Sequence, residues 1–231
     1  MGFQIPRPTA NKLSTQADLI FCVDATASMT PCLNGVRDGL FELVDGLQTA
    51  ANVDFRLRLL AYRDIHPKGC NTPWEDHPFT TSVDEFKSQL SVVQAQGGGD
   101  EPESTLDALY RAIHSDWRTS RTHKTIVLLT DADTHARLHH STYARPDNDV
   151  SRVIQDFQTL RHVMLFLVAP QYPTYEALEQ AALDADRKVI ANWVPKNDLR
   201  YSGLSSISWG PLMNMIGQLV SATSIVVARE Y

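Results

Sequence analysis

Three apolar runs constrain the fold of this chain more than anything else in it. They are Ala17–Asp24 (ADLIFCVD), Lys124–Thr130 (KTIVLLT) and Val163–Ala169 (VMLFLVA). None alternates polar with apolar residues, so each is expected to be buried on both faces, as a central strand of a parallel sheet is. Parallel neighbours need crossovers, and helical stripes lie between the runs. One is Leu33, Val36, Leu40, Leu43, Val44 and Leu47; others are Leu106, Leu109, Tyr110, Ile113 and Trp117, and Val150, Val153, Ile154, Phe157 and Leu160. Strands alternating with helices predict an α/β, doubly wound, mostly parallel sheet of about six strands, with helices on both faces.

The remaining strands follow from shorter patterns. Val53–Tyr62 alternates Val53, Phe55, Leu57, Leu59 and Ala61, and Lys188–Val194 is the last strand. A Pro-rich loop over residues 65–80 is expected to end in a short antiparallel edge strand at Pro78–Thr81. Helix starts are marked by Thr30-Pro31, by the capping box Ser82-Val83-Asp84-Glu85, by Asp149 and by Thr174, the last opening a helix to about Ala185. A terminal helix over about Ser208–Val227 should bury Leu212, Met215, Ile216 and Leu219. Residues 1–16 are expected to be an arm, and residues 17–228 a single domain.

Composition narrows the functions. A net charge of -6 argues against nucleic acid as a partner, because phosphate binding wants a basic face. The 3 cysteines (Cys22, Cys32, Cys70) have no metal-ligand spacing and favour a reducing compartment. No apolar secretory segment opens the chain and no run reaches membrane length, so no membrane association and a cytoplasmic location are expected.

In doubly wound sheets, ligands bind outside the carboxyl ends of the strands. Asp24 and Asp131 both stand there. Asp24, Thr26, Ser28, Asp100, Glu103 and Asp131 offer only oxygen, which suits Mg²⁺, Mn²⁺ or Ca²⁺ and not zinc. The glycines 97–99 follow a helix rather than a strand, so they are no dinucleotide fingerprint.

Asp24-x-Thr26-x-Ser28 resembles the DxSxS metal-ion-dependent adhesion site of von Willebrand factor A domains, with Thr for the first Ser. Asp100-Glu101-Pro102-Glu103 and Thr130-Asp131-Ala132-Asp133-Thr134-His135 resemble the second and third loops of the integrin β A-like (I-like) domain. The resemblance covers about residues 15–228. It implies that Thr26, Ser28 and Glu103 coordinate Mg²⁺, with Asp24 and Asp131 acting directly or through water. Asp100 and the carbonyl of Pro102 match positions that hold a second ion. Met29-Thr30-Pro31-Cys32 carries no carboxylate where the integrin β pattern holds a third, so that site is expected to be absent.

The resulting expectation is a cation-dependent protein-binding domain and not an enzyme. A partner Asp or Glu would complete the coordination, and Trp74 and His135 are candidate partner contacts. A Mg²⁺ phosphohydrolase using Asp24 is the rival, but position 26 is Thr and no lysine lies in the three loops. A scaffold subunit with a structural metal is the other alternative.

Overall fold

The computed structural model describes residues 15–49, 53–65, 72–98, 101–118, 121–181, 184, 186–197 and 203–229. Among them are β1 (Thr15–Asp24), β2 (Val53–Tyr62), β3 (Trp74–Asp76), β4 (His123–Leu129), β5 (Val163–Pro170) and β6 (Arg187–Val194). They form one sheet in the order β3-β2-β1-β4-β5-β6. All pairings are parallel except β2 with β3. The helices are α1 (Leu33–Thr49), α2 (Val83–Val92), α3 (Thr105–Ile113), α4 (Val150–Thr159), α5 (Pro173–Gln180) and α6 (Trp209–Arg229).

The pleat of β1 divides the core. Ala17, Leu19, Phe21 and Val23 belong to one cluster with α1, α2 and α6, while Ile20 and Cys22 belong to another with α3, α4 and α5. Phe21 meets Phe86 of α2 with ring centroids 5.1 Å apart. Each such fully buried side chain stabilises the fold by about 1.5–3 kcal/mol. Helices α1 and α6 pack closely because α1 carries glycines under Trp209. A Cβ on Gly39 would stand 2.9 Å from the Trp209 Cβ.

Several boundaries differ from the sequence expectation, each for a local reason. The strand β1 takes in Thr15 and Gln16, which pair with Val53 and Asp54, so two residues assigned to the arm are sheet; residues 1–14 lie outside the described residues. Thr30-Pro31 does not open α1. A 3-10 turn at Ala27–Met29 comes first, and the Thr30 hydroxyl donates to the carbonyl of Ala27 at 2.7 Å instead of capping a helix. The edge strand is Trp74–Asp76, not Pro78–Thr81; only Thr80 makes a bridge there, to Leu57. Pro78 has no N–H to give to a ladder. The capping box of α2 is half formed. Ser82 accepts from the Glu85 N–H at 3.1 Å, but the Glu85 carboxylate accepts from Thr80 at 2.5 Å. Helix α5 starts at Pro173 with Tyr172 before it, not at Thr174, and ends at Gln180. In α6 the buried stripe is Leu212, Met213, Ile216 and Val220, and Met215 is exposed.

His123 at the start of β4 is buried, with Nε2 3.0 Å from the Thr223 hydroxyl of α6. Burial, with Lys124, His162 and Lys188 adding like charge, lowers its pKa to about 3. An unfolded histidine takes its proton near pH ~6.5. Between the two values only the unfolded chain is protonated, so stability should fall as pH drops from about 6.5 towards 3. The slope from this one group is at most about 1.4 kcal/mol per pH unit. Denaturant melts of His123→Gln should show a flatter decline with pH than wild type; an identical slope would contradict the assignment.

Candidate metal centre

The chain leaves β1 towards β2 on one side, and leaves β4 towards β5 on the other. The carboxyl ends of β1 and β4 therefore flank the switch point of the sheet, where a crevice opens. Asp24 ends β1 and Asp131 follows β4 by two residues, and both are fully buried.

Asp24 is the anchor. Its Oδ1 accepts from the Thr26 N–H at 2.9 Å and from the Thr26 hydroxyl at 2.7 Å. Its Oδ2 accepts from the Thr130 hydroxyl at 2.8 Å. The first two bonds fold the turn after β1; the third ties that turn to the end of β4. Burial, and then the charge of Asp131, push the Asp24 carboxyl up to about 6, against the hydrogen bonds from Thr26 and Thr130 that lower it.

The hydroxyls carry the most specific information. Thr26 donates its proton to Asp24, and Ser28 donates its own to Asp131 Oδ1 at 2.9 Å. The two hydroxyl oxygens nevertheless stand 3.0 Å apart. Either hydroxyl can be the donor across that gap, and a proton spent there is not available to a carboxylate, so two hydroxyl protons serve three close oxygen contacts. Asp131 Oδ2 is also buried and makes no hydrogen bond among the described residues. Leaving such a group unsatisfied costs about 1–3 kcal/mol or more. A hard cation relieves both faults at once, and the donor set fits one.

The second loop closes the site. Glu103 is buried; its N–H donates to the Asp133 carbonyl at 2.9 Å, and its carbonyl accepts from the His135 N–H at 3.0 Å. These bonds form a parallel bridge that locks the Glu103 and Thr134 segments together. Gly98, at φ +72, passes between Glu103 and Thr26. A Cβ there would lie 2.7 Å from Glu103 Oε1 and 3.2 Å from the Thr26 Cβ. Only glycine suits both that backbone and that gap. Gly97 accepts from the Ala27 N–H at 3.0 Å, joining the first and second loops. A cleft of about 280 Å³, lined by Ser28, Glu103, Glu101, Ala132 and Asn197 among others, opens above. Thr26 and Asp131 lie beneath its floor, while Ser28 is exposed.

Among the described residues, no three His, Cys, Asp or Glu side chains converge tightly enough to hold an ion by themselves. An ion here depends on the Thr26 and Ser28 hydroxyls as well as on carboxylates. Of the pair assigned to a second ion, Pro102 is half-buried beside Glu103, and Asp100 lies outside the described residues. Trp74 pairs with Tyr62 at the sheet edge, packs against the α3–α4–α5 core, and has the Arg111 guanidinium 4.2 Å over its ring. His135 Nε2 lies 2.9 Å from Asp64 Oδ1, which also accepts from Ser104 at 2.8 Å. Asp64, Ser104, Thr130 and Thr134 were not singled out in the sequence. Asp64 had one available signal, its place at the carboxyl end of β2. Thr134 accepts from the Leu106 N–H at 3.0 Å and so caps α3.

These features define an α/β domain that presents a polar, carboxylate- and hydroxyl-lined cleft at its switch point. The family model for the von Willebrand factor A domain matches residues 18–208, and the chain belongs to that family. Alpha-protein kinase vwkA of Dictyostelium discoideum is 27% identical over 135 residues, 57% of this chain but only 21% of that protein. The chain thus spans about a fifth of that relative's length. The SpRpn10 VWA domain superposes with a TM-score of 0.55 at 11% identity, covering 86% of this chain and 94% of that one. Proximal thread matrix protein 1 of the mussel byssus gives 0.59 at 16% identity, covering 90% and 49%. At these identities the structures speak for the fold. Von Willebrand factor A domains are in general protein-interaction modules and not enzymes. No helix among the described residues is long and apolar enough to cross a membrane.

The buried like charges of Asp24 and Asp131 make a stability prediction. In chelator, Asp131→Asn should raise the melting temperature by about 2–4 °C, on the order of 1 kcal/mol, by removing the repulsion. It should also reduce any stabilisation by Mg²⁺. Melting curves with and without chelator test this, and a variant destabilised in chelator would contradict it.

Proposed function

We propose that this domain binds a protein partner through a divalent cation held by its three switch-point loops. The observation that carries this reading is the pair of hydroxyl oxygens of Thr26 and Ser28, 3.0 Å apart, where two hydroxyl protons serve three close oxygen contacts. Thr26, Ser28 and Glu103 would hold the ion, and Asp131 and Asp24 would act directly or through water. The all-oxygen donor set favours Mg²⁺, with Mn²⁺ able to replace it. Few direct protein ligands leave positions for water, and a carboxylate from the partner would displace one of these. The ion supplies a fixed positive charge that makes the contact directional.

The integrin β-like order of the loops, Asp100-Glu101-Pro102-Glu103 followed by Thr130-Asp131-Ala132-Asp133-Thr134-His135, supports this assignment of ligands. The buried thiol of Cys22, packed in the core, suits a reducing, cytoplasmic setting.

A cation that binds only the folded state at one hundred times its Kd stabilises by about 2.7 kcal/mol. For a domain of this size that corresponds to a melting shift of about 5–10 °C. We expect Mg²⁺ or Mn²⁺ to produce such a shift in wild type, and Ser28→Ala to lose most of it. No shift, or an equal shift in the variant, would rule out the site. Capture of a partner from extract should be lost on chelation and in Asp24→Ala. Capture undiminished by both would sink the cation-dependent reading.

A further inference from the structure

One wall of the cleft does not come from the three loops. Asn197, just after β6, lines it opposite Ser28 and Glu103. Its Oδ1 accepts from the Gly203 N–H at 2.8 Å. That bond settles the orientation of the side-chain amide, because only the oxygen can accept. The Nδ2 makes no hydrogen bond among the described residues, so two N–H donors are left over. The loop that carries Asn197 is pinned at its far end as well. A Cβ on Gly203 would fall 1.8 Å from the Pro195 carbonyl oxygen, so the backbone there is closed tightly on itself. Asn197 therefore borders a cleft with acidic lining, and its amide protons have no acceptor among the described residues.

We infer that Asn197 is a specificity-determining residue that donates a hydrogen bond from Nδ2 to the partner's carboxylate. This rests on the cation-dependent reading above: one carboxylate oxygen would go to the ion, and the other to Asn197. A cleft of about 280 Å³ has room for one acidic side chain beside the ion. The ion alone accepts any anionic oxygen. A second, oriented donor selects a planar carboxylate over a single-oxygen ligand such as water or an alcohol. The donor also belongs to the segment that leads from β6 into α6, so the same segment would sense the bound partner.

The test uses the full chain loaded with Mn²⁺ and N-acetyl-aspartyl-N-methylamide as the carboxylate probe. Paramagnetic broadening of the probe's β-methylene protons reports its binding, and the electron paramagnetic resonance signal of free Mn²⁺ reports metal uptake. Asn197→Asp keeps the acceptor for the Gly203 N–H but removes the donor. Asn197→Ala removes the donor without adding charge. Both variants should retain Mn²⁺ and bind the probe roughly tenfold or more weakly, as expected for losing a hydrogen bond to a charged group. Unchanged probe affinity in both variants would make Asn197 a loop cap only and overturn the inference. So would weakening in Asn197→Asp alone, which is a charge effect, or a Mn²⁺-loaded wild type that does not broaden the probe. A wild type that takes up no Mn²⁺ would instead defeat the metal reading beneath it.

Discussion

The carboxylate of Asp24 is the contact on which the site depends. It accepts from Thr26 twice and from Thr130 once, and so joins the turn after β1 to the end of β4. Those bonds also decide the chemistry of the hydroxyls. Asp24, Thr26, Ser28 and Asp131 form a run of three close oxygen contacts served by two hydroxyl protons. A buried carboxylate thus acts less as a ligand than as the group that orients the ligands. Its own burial beside Asp131 is unfavourable, a cost that a bound cation would offset.

The rest of the fold exists, in effect, to hold that contact in place. Parallel strands buried on both faces give β1 and β4 rigid, adjacent ends, and the switch in strand order leaves the crevice between them. The second loop is then fastened to the other two. Glu103 pairs with the Asp133–His135 segment, and Gly97 bonds to Ala27. Behind it, Asp64 bridges Ser104 and His135. These bonds hold the three loops together, which would lower the ordering cost of binding at their junction.

Much of this was legible in the sequence because the governing forces are local or periodic. Runs such as ADLIFCVD and VMLFLVA identify buried strands, and the doubly wound architecture with its short antiparallel edge strand follows from their alternation with helices. Asp24, Thr26 and Ser28 were legible as a group because a two-residue spacing brings them onto one turn. Glu103 and Asp131 came from motif likeness and strand ends. What escaped depends on contacts between distant segments. Asp64 meets His135 across 71 positions, Asn197 bonds to Gly203 across 6, and Thr130 reaches back 106 positions to Asp24. The edge strand was misplaced because Pro78 looked like a turn beside a strand, while the pairing itself runs through Trp74–Asp76. Met213 and Met215 are two positions apart in a largely apolar helix, and only the contacts with α1 and the sheet show that Met213 is the buried one.

The most direct measurement is the anomalous scattering of Mn²⁺ in crystals of the protein. The account predicts a single strong peak at the floor of the cleft, about 2.0–2.3 Å from both Thr26 Oγ1 and Ser28 Oγ, the range for hard cations on oxygen. Absence of a peak there at millimolar Mn²⁺, or a peak bound only by surface carboxylates elsewhere, would contradict it.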